Sequence, residues 1–312
     1  MTHEPIPHWP GELVPIGDHR VYVRSTPDKT GEPALCVHGL AGSSRNWTDL
    51  IDLLRPRLAC DALDLPGFGD SPPRPDGRYS VAALAQTVAA LIEHKNNTSV
   101  HLIASSLGGA VAVKLAATRP DLVKTLTLIS PALPDSRPRL DQVHFAVISL
   151  PGVGPRLLRK YDALPPQNRV ADVITTCFSD PARFGAERFA TEVAELAQRD
   201  TLDHATAALV GTVRTLTAGF FRRGRQSAWR DAARITAPTL VIYGSHDRVV
   251  DPRQAGRAAR AFANSRIVVL PRTGHLAHME HPAQVAAEIA IMLDATARPA
   301  RPAREFPLAP AG

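Results

Sequence analysis

The sequence predicts an α/β protein built on a mostly parallel sheet, with helices on both faces and a helical insertion. Three observations predict it. From Glu12 to Ser130, short apolar runs alternate with stretches of 3.6-residue apolar period, the sign of βαβ units. From about Leu133 to Arg234 no convincing strand occurs, and amphipathic helical stretches follow one another between prolines and glycines. At Leu240 the strand–helix alternation resumes and runs to the last helix. This divides the chain into a core over residues 1–132 and 235–296, a helical insertion over 133–234, and a Pro/Ala-rich tail over 297–312 with no apolar period.

Taken in order, Glu12–Ile16 and His19–Ser25 flank Gly17-Asp18 and read as two strands joined by a tight turn. Ala34–Val37 and Arg57–Asp64 are buried strands. Ser80 caps a helix whose Val81, Leu84, Ala85, Val88, Leu91 and Ile92 share one face. Val100–Ala104 is a strand, Leu107–Thr118 a helix stopped at Arg119-Pro120, and Leu122–Ser130 a strand. In the insertion, Gln142–Leu150, Asn168–Phe178 and Leu202–Phe221 read as helices. Leu240–Gly244 is the next strand, followed by a helix near Pro252–Ala263 and the strand Ile267–Leu270. A final helix begins at Pro282, with Val285, Ile289, Met292 and Leu293 on its inner face.

Composition excludes several functional classes. The chain has 312 residues, of which 44% are hydrophobic and 21% charged, ordinary for a globular protein with a large core. No run of 18 apolar residues occurs, and MTHEPIPHWPGELV lacks a basic head before an apolar stretch, so neither stable membrane insertion nor secretion is expected. Cys36, Cys60 and Cys177 are widely spaced; the first two lie in strand-like runs and read as reduced core residues of a cytoplasmic protein. The net charge of +6 is carried almost wholly by arginine, yet aromatics make up 5% and no helix interleaves them with a basic face, so no nucleic-acid partner is expected.

The stretch HLIASSLGGAVA, residues 101–112, poses the central chemical question. A residue on the sharp turn between the strand and the helix takes positive φ and projects its side chain at the sheet's C-terminal edge. The residues two before and two after it must then be small. For Ser106 these are Ala104 and Gly108, whereas for Ser105 they are Ile103 and Leu107. Ser106 is therefore the candidate nucleophile, with Ser105 beside it as a supporting hydroxyl.

A serine needs a base. His275 follows Gly274 in the loop after the strand Ile267–Leu270, within reach of that edge. His278 and His281 lie nearer the last helix and read as structural or pocket-lining, and His101 as a satisfied core or edge residue. No metal is expected, since no H-E-x-x-H or further ligand at zinc spacing accompanies these histidines. Asp247, three residues beyond Gly244, is placed to orient the base; Asp135 is the alternative acid, and Asp251 fits a surface turn. His38-Gly39 ends a buried strand in a small-residue loop that can present the Leu40 N–H, while Leu107 supplies a second donor for an oxyanion. His38 reads as a residue that holds this loop.

With these pieces assembled, the sequence resembles the α/β-hydrolase superfamily across residues 12–295. The matching motifs are His38-Gly39, DLPGFGDS from Asp64 to Ser71, the ASSLGG elbow, YGSHD ending at Asp247, and GHLAHMEHP from Gly274. The resemblance implies an eight-stranded sheet and a Ser–Asp–His chain order, with the insertion as a cap over the site. It implies a cofactor-free, esterase-like serine hydrolase acting on a small, hydrophobic ester. Serine at 106 sets the chain apart from the aspartate-nucleophile dehalogenases and epoxide hydrolases. Ring-cleavage C–C hydrolases, perhydrolases and a ligand-binding receptor on the same fold are the alternative readings. In TAGFFRRGRQSAW, Phe220 and Phe221 are expected to be buried at a helix end with the arginines solvated, the alternative being an entrance for an acyl chain or anionic group.

Overall fold

The computed structural model describes residues 6–27, 30–135, 147–148, 150, 152–221 and 227–297. Eight strands form one sheet: β1 (Gly11–Ile16), β2 (His19–Ser25), β3 (Glu32–Val37), β4 (Leu58–Leu63), β5 (Val100–Ser105), β6 (Val123–Ile129), β7 (Thr239–Gly244) and β8 (Ser265–Leu270). Their spatial order is β1-β2-β4-β3-β5-β6-β7-β8. The β1–β2 and β2–β4 pairs are antiparallel, and all the others are parallel. Parallel strands carry side chains into cover on both faces, and every residue of β5 and β7 is buried.

Strand alternation divides the core in two. On one face, Leu102 and Ala104 of β5 join Val37, Leu126 and Val241 beneath α2 (Val81–His94) and α3 (Leu107–Thr118). On the other, Ile103 joins Cys36, Ile129 and Ile242 beneath α1 (Thr48–Leu54) and the last helix. The Ser80 hydroxyl accepts from the Ala83 N–H at 3.2 Å, so the expected cap opens α2. β6 starts one residue later than its apolar run because Pro120–Leu122 form a 3₁₀ turn.

Between β6 and β7 the described residues hold α4 (Val153–Asp162), α5 (Pro166–Cys177), α6 (Ala186–Arg199), α7 (Ala205–Phe220) and α8 (Ala228–Ala232), and no strand. The helix expected over Gln142–Leu150 falls mostly outside the described residues, as does the tail beyond Ala297. α7 ends near its expected limit, but Phe220 and Phe221 are exposed rather than buried, because the helix end projects both rings from the core. The basic residues that follow lie outside the described residues. After β7 come α9 (Gln254–Ala261), α10 (Ala277–Glu280) and α11 (Pro282–Ala297), the last burying Val285, Ile289, Met292 and Leu293 as expected. Among the described residues, no helix is long and apolar enough to cross a membrane.

Candidate active site

Ser106 sits between β5 and α3 with φ 52° and ψ −117°, a left-handed conformation that a non-glycine residue holds only under strain. Hydrogen bonds fix it there. Its N–H donates to the Ile129 carbonyl at 3.0 Å, and its carbonyl accepts from the Ala132 N–H at 2.9 Å. The need for a small residue at 108 has a sharper cause than proximity to Ala104. A Cβ on Gly108 would overlap the Val37 carbonyl oxygen and lie 2.6 Å from that of His38, so only glycine lets α3 start against the end of β3. Ser105 is fully buried inside β5, and its hydroxyl has no hydrogen-bond partner among the described residues. Ser106 is only partly buried, and the supporting hydroxyl expected of Ser105 is instead enclosed in the strand.

Asp247 and His275 meet at the same end of the sheet, on the loops that follow β7 and β8. His275 Nδ1 lies 2.9 Å from Asp247 Oδ2, and both side chains are buried. The Val249 and Val250 N–H groups each donate to Asp247 Oδ1 at 2.8 Å. Burial by itself would raise the Asp247 carboxyl. The His275 charge and hydrogen bond, with the Val250 N–H and the Ser130 hydroxyl, outweigh it and hold the carboxyl below its usual range. A carboxylate in this position keeps the proton on Nδ1 and leaves Nε2 with its lone pair. Ser130 lies between the two halves of the site: residues 129 and 132 grip the Ser106 backbone, and its own N–H donates to Ile242 of β7 at 2.8 Å. No hydrogen bond joins the Ser106 hydroxyl to His275 among those of the described residues.

The loop after β3 abuts the elbow. A Cβ on Gly39 would lie 3.0 Å from the Ser106 Cβ. His38 is fully buried, and burial lowers its pKa. Its Nε2 accepts from the Leu65 N–H at 2.9 Å, so Nδ1 carries the proton and donates to the Gly39 carbonyl at 2.7 Å. His38 thus links the loop after β3 to the backbone at Leu65. Leu40 follows Gly39 in this loop, and Ala41 takes φ 58°. Leu107 opens α3, where its N–H lacks an intrahelical acceptor.

Several supporting residues were not visible as such in the sequence. Fully buried Asp64 accepts from the Ser44 N–H at 2.5 Å and the Asp70 N–H at 2.8 Å, tying the DLPGFGDS turn to the loop after β3. The His275 N–H donates to the Cys177 carbonyl at the end of α5, at 2.6 Å. Buried Glu280 accepts from the Gly274 N–H at 2.6 Å and from the Asp180 N–H at 2.8 Å. A backbone carbonyl leaves no trace in residue identity, and the GHLAHMEHP motif was the one signal that could have pointed to Glu280.

The remaining candidates have other surroundings. His278 stacks on Trp47, ring centroids 4.3 Å apart. His281 Nε2 lies 3.3 Å from the Arg272 carbonyl oxygen, and His101 lies between Thr125 and Glu32 at 2.8 and 2.6 Å. Asp135 lies within electrostatic reach of Arg253. Asp251 does sit in a turn, but not a surface one: it is buried, and its carboxylate accepts from the Arg253 N–H at 2.9 Å. Among the described residues no cluster of three or more potential ligands could hold a metal ion.

An eight-stranded sheet with a serine elbow after β5 and an Asp–His pair on the loops after β7 and β8 is the architecture of an α/β hydrolase. The sequence profile of the alpha/beta hydrolase fold matches residues 33–282, and the chain belongs to this family. It is 27% identical over 256 residues to a pimeloyl-[acyl-carrier protein] methyl ester esterase of Aeromonas hydrophila, covering 81% of this chain and 92% of that one. It is also 27% identical over 259 residues to the dihydrolipoyllysine-residue acetyltransferase component of an acetoin cleaving system in Pseudomonas putida. That match covers 82% of this chain and 61% of the relative, so the chain spans about three-fifths of that protein's length. Among solved structures, a putative lipase from Acinetobacter baumannii superposes with a TM-score of 0.74 at 22% identity, covering 92% of this chain and 91% of that one.

Proposed function

We propose that the protein is a serine hydrolase that transfers the acyl group of a small, hydrophobic carboxylic ester to water. The observation that carries this reading is the buried His275–Asp247 pair at the same sheet edge as a strained serine elbow. In the proposed mechanism the Ser106 hydroxyl attacks the ester carbonyl while His275 Nε2 takes its proton. Asp247 holds the imidazole by Nδ1 and stabilises the imidazolium. The carbonyl oxygen becomes an oxyanion that accepts from the Leu40 and Leu107 N–H groups, each donor lowering the barrier by about 3 kcal/mol. His275 then protonates the departing alkoxide, and the acyl group stays on Ser106. Water attacks the acyl-enzyme with His275 again as base, releasing the acid and restoring the hydroxyl. Every role is filled by the chain's own groups.

Residues 133–234 act in this proposal as a cap that roofs the site, over a core of residues 1–132 and 235–296. The ester chemistry of the Aeromonas relative supports the substrate class. Labelling with a fluorophosphonate, followed by rates on esters of graded acyl length, tests the reading. Labelling of the native protein that disappears in Ser106→Ala and His275→Ala is expected. Unchanged ester turnover in Ser106→Ala would overturn the mechanism.

A further inference from the structure

α4 is amphipathic in an unusual sense, because large apolar side chains line its outer face. Gly154 and Leu158 turn inward and are buried, where α4 packs on α5 and α7. Val153, Leu157 and Tyr161 recur every four residues, with Leu150 and Leu164 three residues beyond each end. These five stay between 36% and 50% exposed. Val153, Leu157 and Tyr161, four residues apart, share one side of α4 and form an apolar stripe along it, with Leu150 and Leu164 just outside the helix ends and the Tyr161 hydroxyl donating to the Arg169 carbonyl of α5 at 3.4 Å.

Cations border the stripe. Arg156, Arg159 and Lys160 are exposed on the same helix. The one acid of α4, Asp162, turns away from this face, lying 3.4 Å from Arg169 and 3.5 Å from the Thr206 hydroxyl. The outer surface of α4 is therefore apolar and cationic, and the acid within reach of its far end is the exposed Asp172 of α5, beside Tyr161.

We infer that α4 docks on an anionic lipid surface, with Val153 and Leu157 entering the headgroup boundary, the exposed edge of the Tyr161 ring lying beside them, and Arg156, Arg159 and Lys160 pairing with lipid phosphates. Charge complementarity selects this occupant: an apolar stripe with flanking cations, in a chain of net charge +6, suits the negative face of a bilayer. The attachment is peripheral and reversible, since one short helix buries too little apolar area for permanent anchoring. It stands independently of the proposed hydrolase activity, because binding is read without turnover.

The test is flotation of the full-length protein with phosphatidylcholine vesicles and with vesicles carrying about one-third phosphatidylglycerol. Native protein is expected to float with the anionic vesicles at low salt, and to be released at high salt as the charges are screened. Leu157→Asp together with Tyr161→Asp should weaken partitioning by at least about ten-fold, while hydrolysis of a soluble ester stays at the native rate. Arg156→Glu with Lys160→Glu should weaken it further than the same charge change at Arg230 and Arg260 on other helices. Each lost cation alone is worth about five-fold. Equal urea midpoints for the variants separate loss of docking from loss of fold. Absence of native binding, or equal binding by Leu157→Asp/Tyr161→Asp, would overturn the inference. A solution dimer broken by the same pair without vesicle binding would overturn it in favour of a second copy as the occupant, and binding confined to a soluble acidic protein would overturn it likewise.

Discussion

The guanidinium of Arg199, in the last turn of α6, donates to the carbonyl oxygen of Ala41 at 2.9 Å. Ala41 holds φ 58° next to Leu40, the proposed oxyanion donor. One turn earlier on α6, Glu195 pairs with Arg45 at 2.6 Å, and Arg45 lies 3.2 Å from Asp70, which pairs with Arg24 at 3.2 Å. A helix from between β6 and β7 thus braces the loop after β3 at two points.

Cutting the first brace should affect rate more than fold. Arg199→Met removes a charged donor from a strained carbonyl, worth about 1 kcal/mol for a group partly open to solvent. The expected result is a kcat about five-fold lower with KM nearly unchanged. Steady-state kinetics on a soluble ester, with a thermal melt as control, reads both.

Asp247→Asn keeps the shape but no longer fixes the imidazole tautomer. In a serine triad this exchange costs about four orders of magnitude in kcat. Single-turnover acylation rates should fall to a similar extent. A loss below about ten-fold would mean that Asp247 does not orient the base.

Gly108→Ala sets a Cβ against the backbone of Val37 and His38, neither of which can yield without moving β3. Destabilisation by about 3 kcal/mol or more is expected, from forced backbone movement in a packed core. Urea unfolding followed by tryptophan fluorescence measures it. The same change at Gly77, where φ is 61° but no atom lies within 4 Å, should cost less.

Acid stability should depend on His278. Burial, then the neighbouring His275, pushes its pKa down to about 3, and its Nδ1 has no hydrogen-bond partner among the described residues. Unfolded histidine titrates near 6.5, so between pH 6.5 and 3 the unfolded chain holds the extra proton. Folding stability from this residue is therefore present above pH 6.5 and drains away as the pH falls towards 3. His278→Phe keeps the stack on Trp47 and removes the titration. Its urea midpoint should fall less steeply across this range, by about one proton in the linkage slope.

Much of the framework could be read from the residues. The choice of Ser106 over Ser105 follows from the size of their neighbours, and Ser106 is the one of the two that holds a strained backbone at the strand end. Asp247 and His275 could be placed because strands of a parallel sheet deliver their following loops to one edge. Three features were not legible. The brace from Arg199 joins residues 158 apart through a backbone oxygen, which any residue at 41 would offer. The 3₁₀ turn at Pro120–Leu122 took a residue from an apolar run that reads as strand throughout. Phe220 and Phe221 looked like core residues by type, yet exposure is decided by where a helix ends, and periodicity fixes that least well.

The hydrogen bond from the His275 backbone to the carbonyl of Cys177 bears on protein engineering. Chimeras that graft the intervening helices from another family member onto this sheet would inherit the loop after β8 but not the oxygen it hangs from. A successful graft must present a peptide carbonyl at the same spot, whatever amino acid supplies it, and a fragment chosen by sequence identity alone has no means of guaranteeing one.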